Sequence, residues 1–120
     1  MLAIAAVDRQ EADALWPAAA GLPAAARVLT AREGARTTGW AALTVQGSAA
    51  AVVALEAEDA VLGEGLLRAA LNEAQRAGAR DVSVAAAVCG DLPARLGLTQ
   101  HGDVWTGEIA AVFARRCCGS

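Results

Sequence analysis

Apolar positions fall into blocks along the chain, and the period changes from block to block. Met1–Val7 is a short apolar run that stops at Asp8, which suits a first strand. Asp8 then reads as a helix N-cap, with Glu11 three residues on completing a capping-box pattern. Glu11–Ala20 carries Ala12, Leu15, Trp16 and Ala19 on one helical stripe; Pro17 sits near its end and Gly21-Leu22-Pro23 breaks the chain. Ala26–Arg32 and Arg36–Gln46 read as strands joined by the turn Glu33-Gly34-Ala35. Gly47-Ser48 predicts a two-residue hairpin with a type II′ turn. Ala49–Ala57 is apolar almost throughout and bounded by turn signals, as expected of a strand buried on both faces.

The period then lengthens. Leu66, Leu67, Ala70, Leu71 and Ala74 form the apolar stripe of a helix expected over Leu62–Ala77, with Gly78 as its C-terminal stop. Asp81–Val88 is again apolar and reads as a strand. Strand, helix and strand in that order predict a right-handed crossover between parallel strands. Pro93 limits Cys89–Leu96 to a helical stub, and Leu98–His101 and Val104–Phe113 flank Gly102-Asp103 as a closing hairpin. The order predicts an α/β (α+β) mixed sheet, antiparallel in its first half with one parallel junction, in a single domain over 1–120.

Composition narrows the function classes. Hydrophobic residues make up 56% of the 120, but many are alanine, so the core is rich in residues and modest in side-chain volume. There is no lysine; all 10 basic residues are scattered arginines, and the net charge of -3 argues against a nucleic-acid partner. No apolar run approaches the roughly 20 residues of a membrane span. The first residues lack the basic region of a signal peptide, so the expected compartment is the cytoplasm. An odd cysteine count (Cys89, Cys117 and Cys118) argues against a disulfide framework. One histidine and no CxxC pair argue against a zinc site. The adjacent Cys117 and Cys118 read as neutral thiols near the end, with a redox or soft-metal role as the alternative.

Gly63 and Gly65 open the second helix, directly after the buried strand. The free N–H groups of a first helical turn suit a phosphate, and glycine leaves the backbone open to close approach. Tight packing of helix on strand accounts for the same glycines. The spacing matches neither the dinucleotide-binding fingerprint nor a P-loop.

Taken with the element order, Gly63, Gly65 and Leu96-Gly97-Leu98 give a chain that resembles the GNAT N-acetyltransferase superfamily from about Leu2 to Phe113. In that family an Arg/Gln-x-x-Gly-x-Gly/Ala turn holds the pyrophosphate of acetyl-coenzyme A; its counterparts here are Ala60, Gly63 and Gly65. The resemblance implies a gap where the fourth strand splays from the fifth, taking the pantetheine arm. Leu55 and Ala57 would line that gap, and Leu62, Gly63, Glu64, Gly65 and Leu66 would take the pyrophosphate.

The chain departs from the pattern in three places. Ala60 stands where Arg or Gln is usual, and Glu64 lies between the glycines, where an outward direction would keep it from the pyrophosphate. The family's tyrosine, a general acid for the departing thiolate, falls at Pro93, and the chain has no tyrosine at all. Glu56, at the end of the fourth strand, is the candidate base; the alternative is a solvated edge carboxylate. His101 reads as a turn histidine, Cys89 as a small buried thiol, and Trp40 and Trp105 as core residues. The expected activity is acetyl transfer from acetyl-coenzyme A to an amine of a small molecule or peptide. A non-catalytic coenzyme-binding or partner-binding module is the alternative, and homodimerisation is compatible with both.

Overall fold

A computed structural model describes residues 2–8, 10, 21–22 and 25–113. The helix expected over Glu11–Ala20 and the pair Cys117-Cys118 lie outside the described residues. The elements are strands β1 (Leu2–Val7), β2 (Arg27–Glu33), β3 (Arg36–Gln46) and β4 (Ala49–Ala57), helix α1 (Ala60–Arg76), and strand β5 (Asp81–Ala85). Two short helices, α2 (Ala86–Cys89) and α3 (Leu92–Arg95), lead to strands β6 (Thr99–His101) and β7 (Val104–Glu108).

The strands form one mixed sheet in the order β1-β2-β3-β4-β5-β7-β6, and β4 with β5 is its parallel pair. The Gly47-Ser48 turn joins Gln46 to Ala49 as a two-residue hairpin. Gly47 carries the positive φ of 60° that a type II′ turn needs at its first central position.

α1 starts at Ala60, two residues before the expected Leu62, because Asp59 caps it: the Asp59 side chain accepts from the Leu62 N–H at 2.8 Å. At the other end Gly78 N–H donates to Gln75 and Ala79 N–H to Ala74, a Schellman closure. The stripe Leu66, Leu67, Ala70, Leu71 and Ala74 is fully buried; Leu66 packs with Ala31 and Ala41, and the rest pack on Leu29, Leu43, Val52, Val82 and Val84 of the sheet. Close docking needs Gly39, where a Cβ would stand 2.9 Å from Leu66 Cδ1 and 2.7 Å from the Glu56 carbonyl oxygen.

Two expected strands end early. β5 stops at Ala85 and not Val88; Ala86 N–H turns to the Asp103 carbonyl at 2.8 Å, and 86–89 coil into α2. An alanine run has little preference for the extended state once its strand partner departs. β7 stops at Glu108 and not Phe113, and 109–113 are helical. Ile109 and Val112 are buried, and Phe113 packs beside them, the i, i+3, i+4 spacing of a helix.

The feature that positions the site is a β-bulge. The β3–β4 register runs Leu43 to Val52 and then Ala42 to Ala54, so Val53 is the extra residue. Pairing of β4 with β5 ends at the same level, Val52 with Val84. A bulge bends its strand and strengthens the local twist. Beyond it, β4 continues alongside β3 with no strand on its other edge among the described residues.

Candidate functional site

The parting of β4 from β5 opens a cleft of about 730 Å³. One wall is the end of β4 with the β4–α1 turn, from Leu55 to Ala60; the other is α2 and α3, through Val88, Cys89 and Leu92; Thr37 to Trp40 of β3 lie at its edge.

The bulge decides which way Glu56 points. Counted back from the Gly47-Ser48 turn, an unbroken ladder would set Trp40 opposite Leu55; with Val53 extra, Trp40 pairs with Glu56. A one-residue slip exchanges the faces of a strand. Glu56 therefore shares a face with the buried Trp40, whose Nε1–H donates to Glu56 Oε2 at 2.6 Å. Leu55 turns the other way, onto the α1 side of the sheet. Glu56 itself is exposed and lines the cleft.

The glycines part company. Gly63 lines the cleft, and a Cβ there would meet Leu92 Cδ1 at 2.9 Å. Gly65 borders a separate hollow of about 210 Å³ with Ile4 and Leu62, and its nearest neighbour for a Cβ is Ile4 Cδ1 at 3.8 Å. The Leu62 and Leu66 side chains are buried with Ala31 and Ala41. Glu64 lies along the helix surface with Arg68 four residues on, 3.9 Å away. Gly63 N–H donates to the Asp59 carbonyl at 3.0 Å, and Leu62 N–H to the Asp59 carboxylate, so the helix uses both itself.

The remaining candidates sit apart or are packed. His101 is exposed on β6, away from the cleft. Trp105 is in the core, and its Nε1–H donates to the Gly90 carbonyl at 3.0 Å. Cys89 is buried where the core meets the cleft wall, and desolvation pushes its thiol up to about 11. Pro93 is buried in the first turn of α3. Reading residues alone misses Asp59 and Glu58. Asp59 carries the signal of a capping residue before a helical stripe. Glu58 meets Arg36 in a forked ion pair, Nη2 to Oε1 at 3.2 Å and Nη1 to Oε2, which holds the guanidinium charged. Among the described residues, no helix is long and apolar enough to cross a membrane.

No protein-family model and no curated protein matches the sequence. Solved structures do match. The ribosomal-protein-S18-alanine N-acetyltransferase of Escherichia coli superposes with a TM-score of 0.73 at 13% identity, covering 91% of this chain and 94% of that one. A GNAT-family structure from Desulfovibrio desulfuricans gives 0.67 at 11% identity over 91% of this chain and 99% of that one. A Bacillus subtilis acetyltransferase in complex with CoA gives 0.53 at 15% identity over 70% and 64%. Identities this low speak to architecture, and on that ground the chain has the GNAT acyl-CoA N-acyltransferase fold.

Proposed function

We propose that this protein is a minimal N-acyltransferase that moves an acetyl group from a pantetheine-type thioester, with acetyl-coenzyme A as the family's donor, to an amine. The observation that carries the reading is the cleft where β4 leaves β5 at Val52 and Val84. An amide-rich arm laid there takes the place of the missing strand and satisfies backbone groups that burial would otherwise leave unpaired. The Escherichia coli neighbour acetylates an alanine amine of a ribosomal protein, which supports an amine of a small molecule or peptide as acceptor.

The chemistry asks little of the chain. A neutral amine attacks the thioester carbonyl; the N–C bond forms, the C–S bond breaks, and the amine proton passes to a base before returning to the departing thiolate. Glu56 is the base in this reading, since its carboxylate lines the cleft and is fixed by the Trp40 N–H. Backbone N–H groups on the free edge of β4 would polarise the carbonyl. Cys89, protonated with its thiol at about 11, is not the nucleophile. A second reading has a specific motive: the tyrosine that serves the family as acid is absent, and buried Pro93 holds its position. In that reading the fold binds the thioester or a partner without catalysis.

Titration of acetyl-pantetheine and acetyl-coenzyme A into the native chain and into Ala60→Trp tests the reading. Ala60 is exposed at the cleft mouth, so the indole narrows the cleft at little cost to the core. Expected are binding by the native chain and a loss of about tenfold or more in the variant. A native chain that binds neither thioester at about 1 mM would refute the proposal. Thiol release with a panel of amines then separates the two readings. Catalysis predicts turnover, lowered about 100-fold or more by Glu56→Gln with thioester affinity kept; a binding module gives none.

A further inference from the structure

The resemblance implies a pyrophosphate at the start of α1, and the residues present do not fit one. All three charged side chains lining the cleft are carboxylates: Glu56, Glu58 and Asp59. Of the first-turn donors of α1, Leu62 N–H is taken by the Asp59 carboxylate at 2.8 Å, and Gly63 N–H already belongs to the helical ladder through the Asp59 carbonyl at 3.0 Å. Arg36, the arginine that meets a cleft carboxylate, is paired with Glu58, and Arg68 on α1 lies beside Glu64. The Ala60 side chain supplies no polar contact at the mouth. A diphosphate at the start of α1 would compete with the Asp59 carboxylate for the helix N-terminus and meet a second carboxylate, Glu58, one residue before it.

We propose that Asp59 is a specificity-determining residue that keeps diphosphate out of the cleft, so that the preferred donor is a neutral, amide-bearing acyl-thioester arm and not a nucleotide-linked one. The inference rests on the thioester reading of the cleft and deepens it by naming the donor class. The uncharged part of the arm has what it needs: the free edge of β4 beyond Val53, and apolar walls from Leu55, Ala57, Val88 and Leu92. The adenosine diphosphate end of coenzyme A gains nothing from this chain and meets repulsion at the mouth. Asp59 thus does two jobs with one carboxylate, capping the helix and occupying the place of an anion.

The experiment measures the affinities of acetyl-pantetheine and acetyl-coenzyme A side by side, by calorimetry, in the native chain, Asp59→Asn and Asp59→Gly. In the native chain acetyl-pantetheine is expected to bind as tightly as acetyl-coenzyme A, or more tightly. Asp59→Gly frees the Leu62 N–H and removes a charge, and is expected to shift the ratio of the two dissociation constants toward acetyl-coenzyme A by about tenfold. Asp59→Asn removes the charge but keeps a capping side chain, so it gives a smaller shift in the same direction and carries the test if the glycine variant does not fold. Acetyl-coenzyme A binding the native chain about tenfold more tightly than acetyl-pantetheine overturns this inference alone. So does a ratio that stays put in both folded variants. Binding of neither thioester overturns the reading of the cleft, and this inference with it.

Discussion

At the scale of the residue, Cys89 shows what the small core does to a titratable group. It sits at the end of α2, buried among core side chains, and burial raises its thiol from 9.0 to about 11. An unfolded chain ionises this thiol first, so between those two values the native state holds a proton that the unfolded state has released. The thiol's contribution to stability is therefore complete below about pH 9 and is lost as pH rises toward 11. The urea midpoint is expected to fall across that window, and Cys89→Ala is expected to flatten the fall. Both are measured with Cys117 and Cys118 replaced by serine to remove their titration. An equal decline with and without the Cys89 thiol would show that another group is responsible. Glu56 gives the opposite lesson about reading residues singly. Its place in the sequence, late in the buried strand, marks it as a candidate base, but its bond to Trp40 depends on the extra residue Val53. Nothing in Ala51-Val52-Val53-Ala54 marks one of these small apolar residues as the bulged one.

At the scale of the element, the glycines of the sheet and helix separate by what lies opposite them. A Cβ on Gly39 would stand 2.7 Å from a backbone oxygen and 2.9 Å from Leu66, on a strand that cannot move away from its ladder. Gly39→Ala is expected to destabilise the chain by about 1–3 kcal/mol, the usual cost of overpacking. Gly65 lies inside α1 with only Ile4 at 3.8 Å, an ordinary contact. Gly65→Ala is expected to stabilise by about 0.5–1 kcal/mol, because a helical glycine loses more backbone freedom on folding than alanine. Urea unfolding of both variants checks the pair, and a destabilised Gly65→Ala would reveal a contact that packing does not show. The glycine pair was legible as a signal; which glycine packs and which stays open was not, because that depends on the rotation of α1 over β4. The hairpin at Gly47-Ser48 and the stripe of α1 were legible because turn chemistry and period both act locally. The ends of β5 and β7 were not: Ala-Ala-Ala-Val satisfies either period, and Ile-Ala-Ala-Val-Phe reads as a continuation of its strand. In the second run, however, the spacing of Ile109, Val112 and Phe113 carries the helical signal.

At the scale of the molecule, the sheet is one continuous surface with a local fault. From β1 to β4 each strand pairs along most of its length, whereas β4 and β5 share only the four pairs from Ala49–Asp81 to Val52–Val84. The element order, read from the sequence, puts these two strands side by side and parallel; the depth of their parting comes from the bulge, a tertiary feature with no local mark. A sheet built this way should exchange amide hydrogens unevenly, because local opening follows the local density of backbone pairing. In the free protein, the amides of residues 53–57 that face the gap are expected to exchange faster than those of residues 49–52. Saturating acetyl-pantetheine should slow exchange over residues 53–57 by about tenfold or more, since a ligand that binds only the closed arrangement disfavours opening in proportion to its occupancy. Peptides covering β2 should change little, because their partners are already strands. The contrast between these two regions separates a seated arm from general stabilisation, which would slow exchange everywhere. Uniform slowing, or none at residues 53–57 under conditions where calorimetry reports binding, would place the thioester elsewhere on the molecule and leave the parted strands a purely structural consequence of Val53.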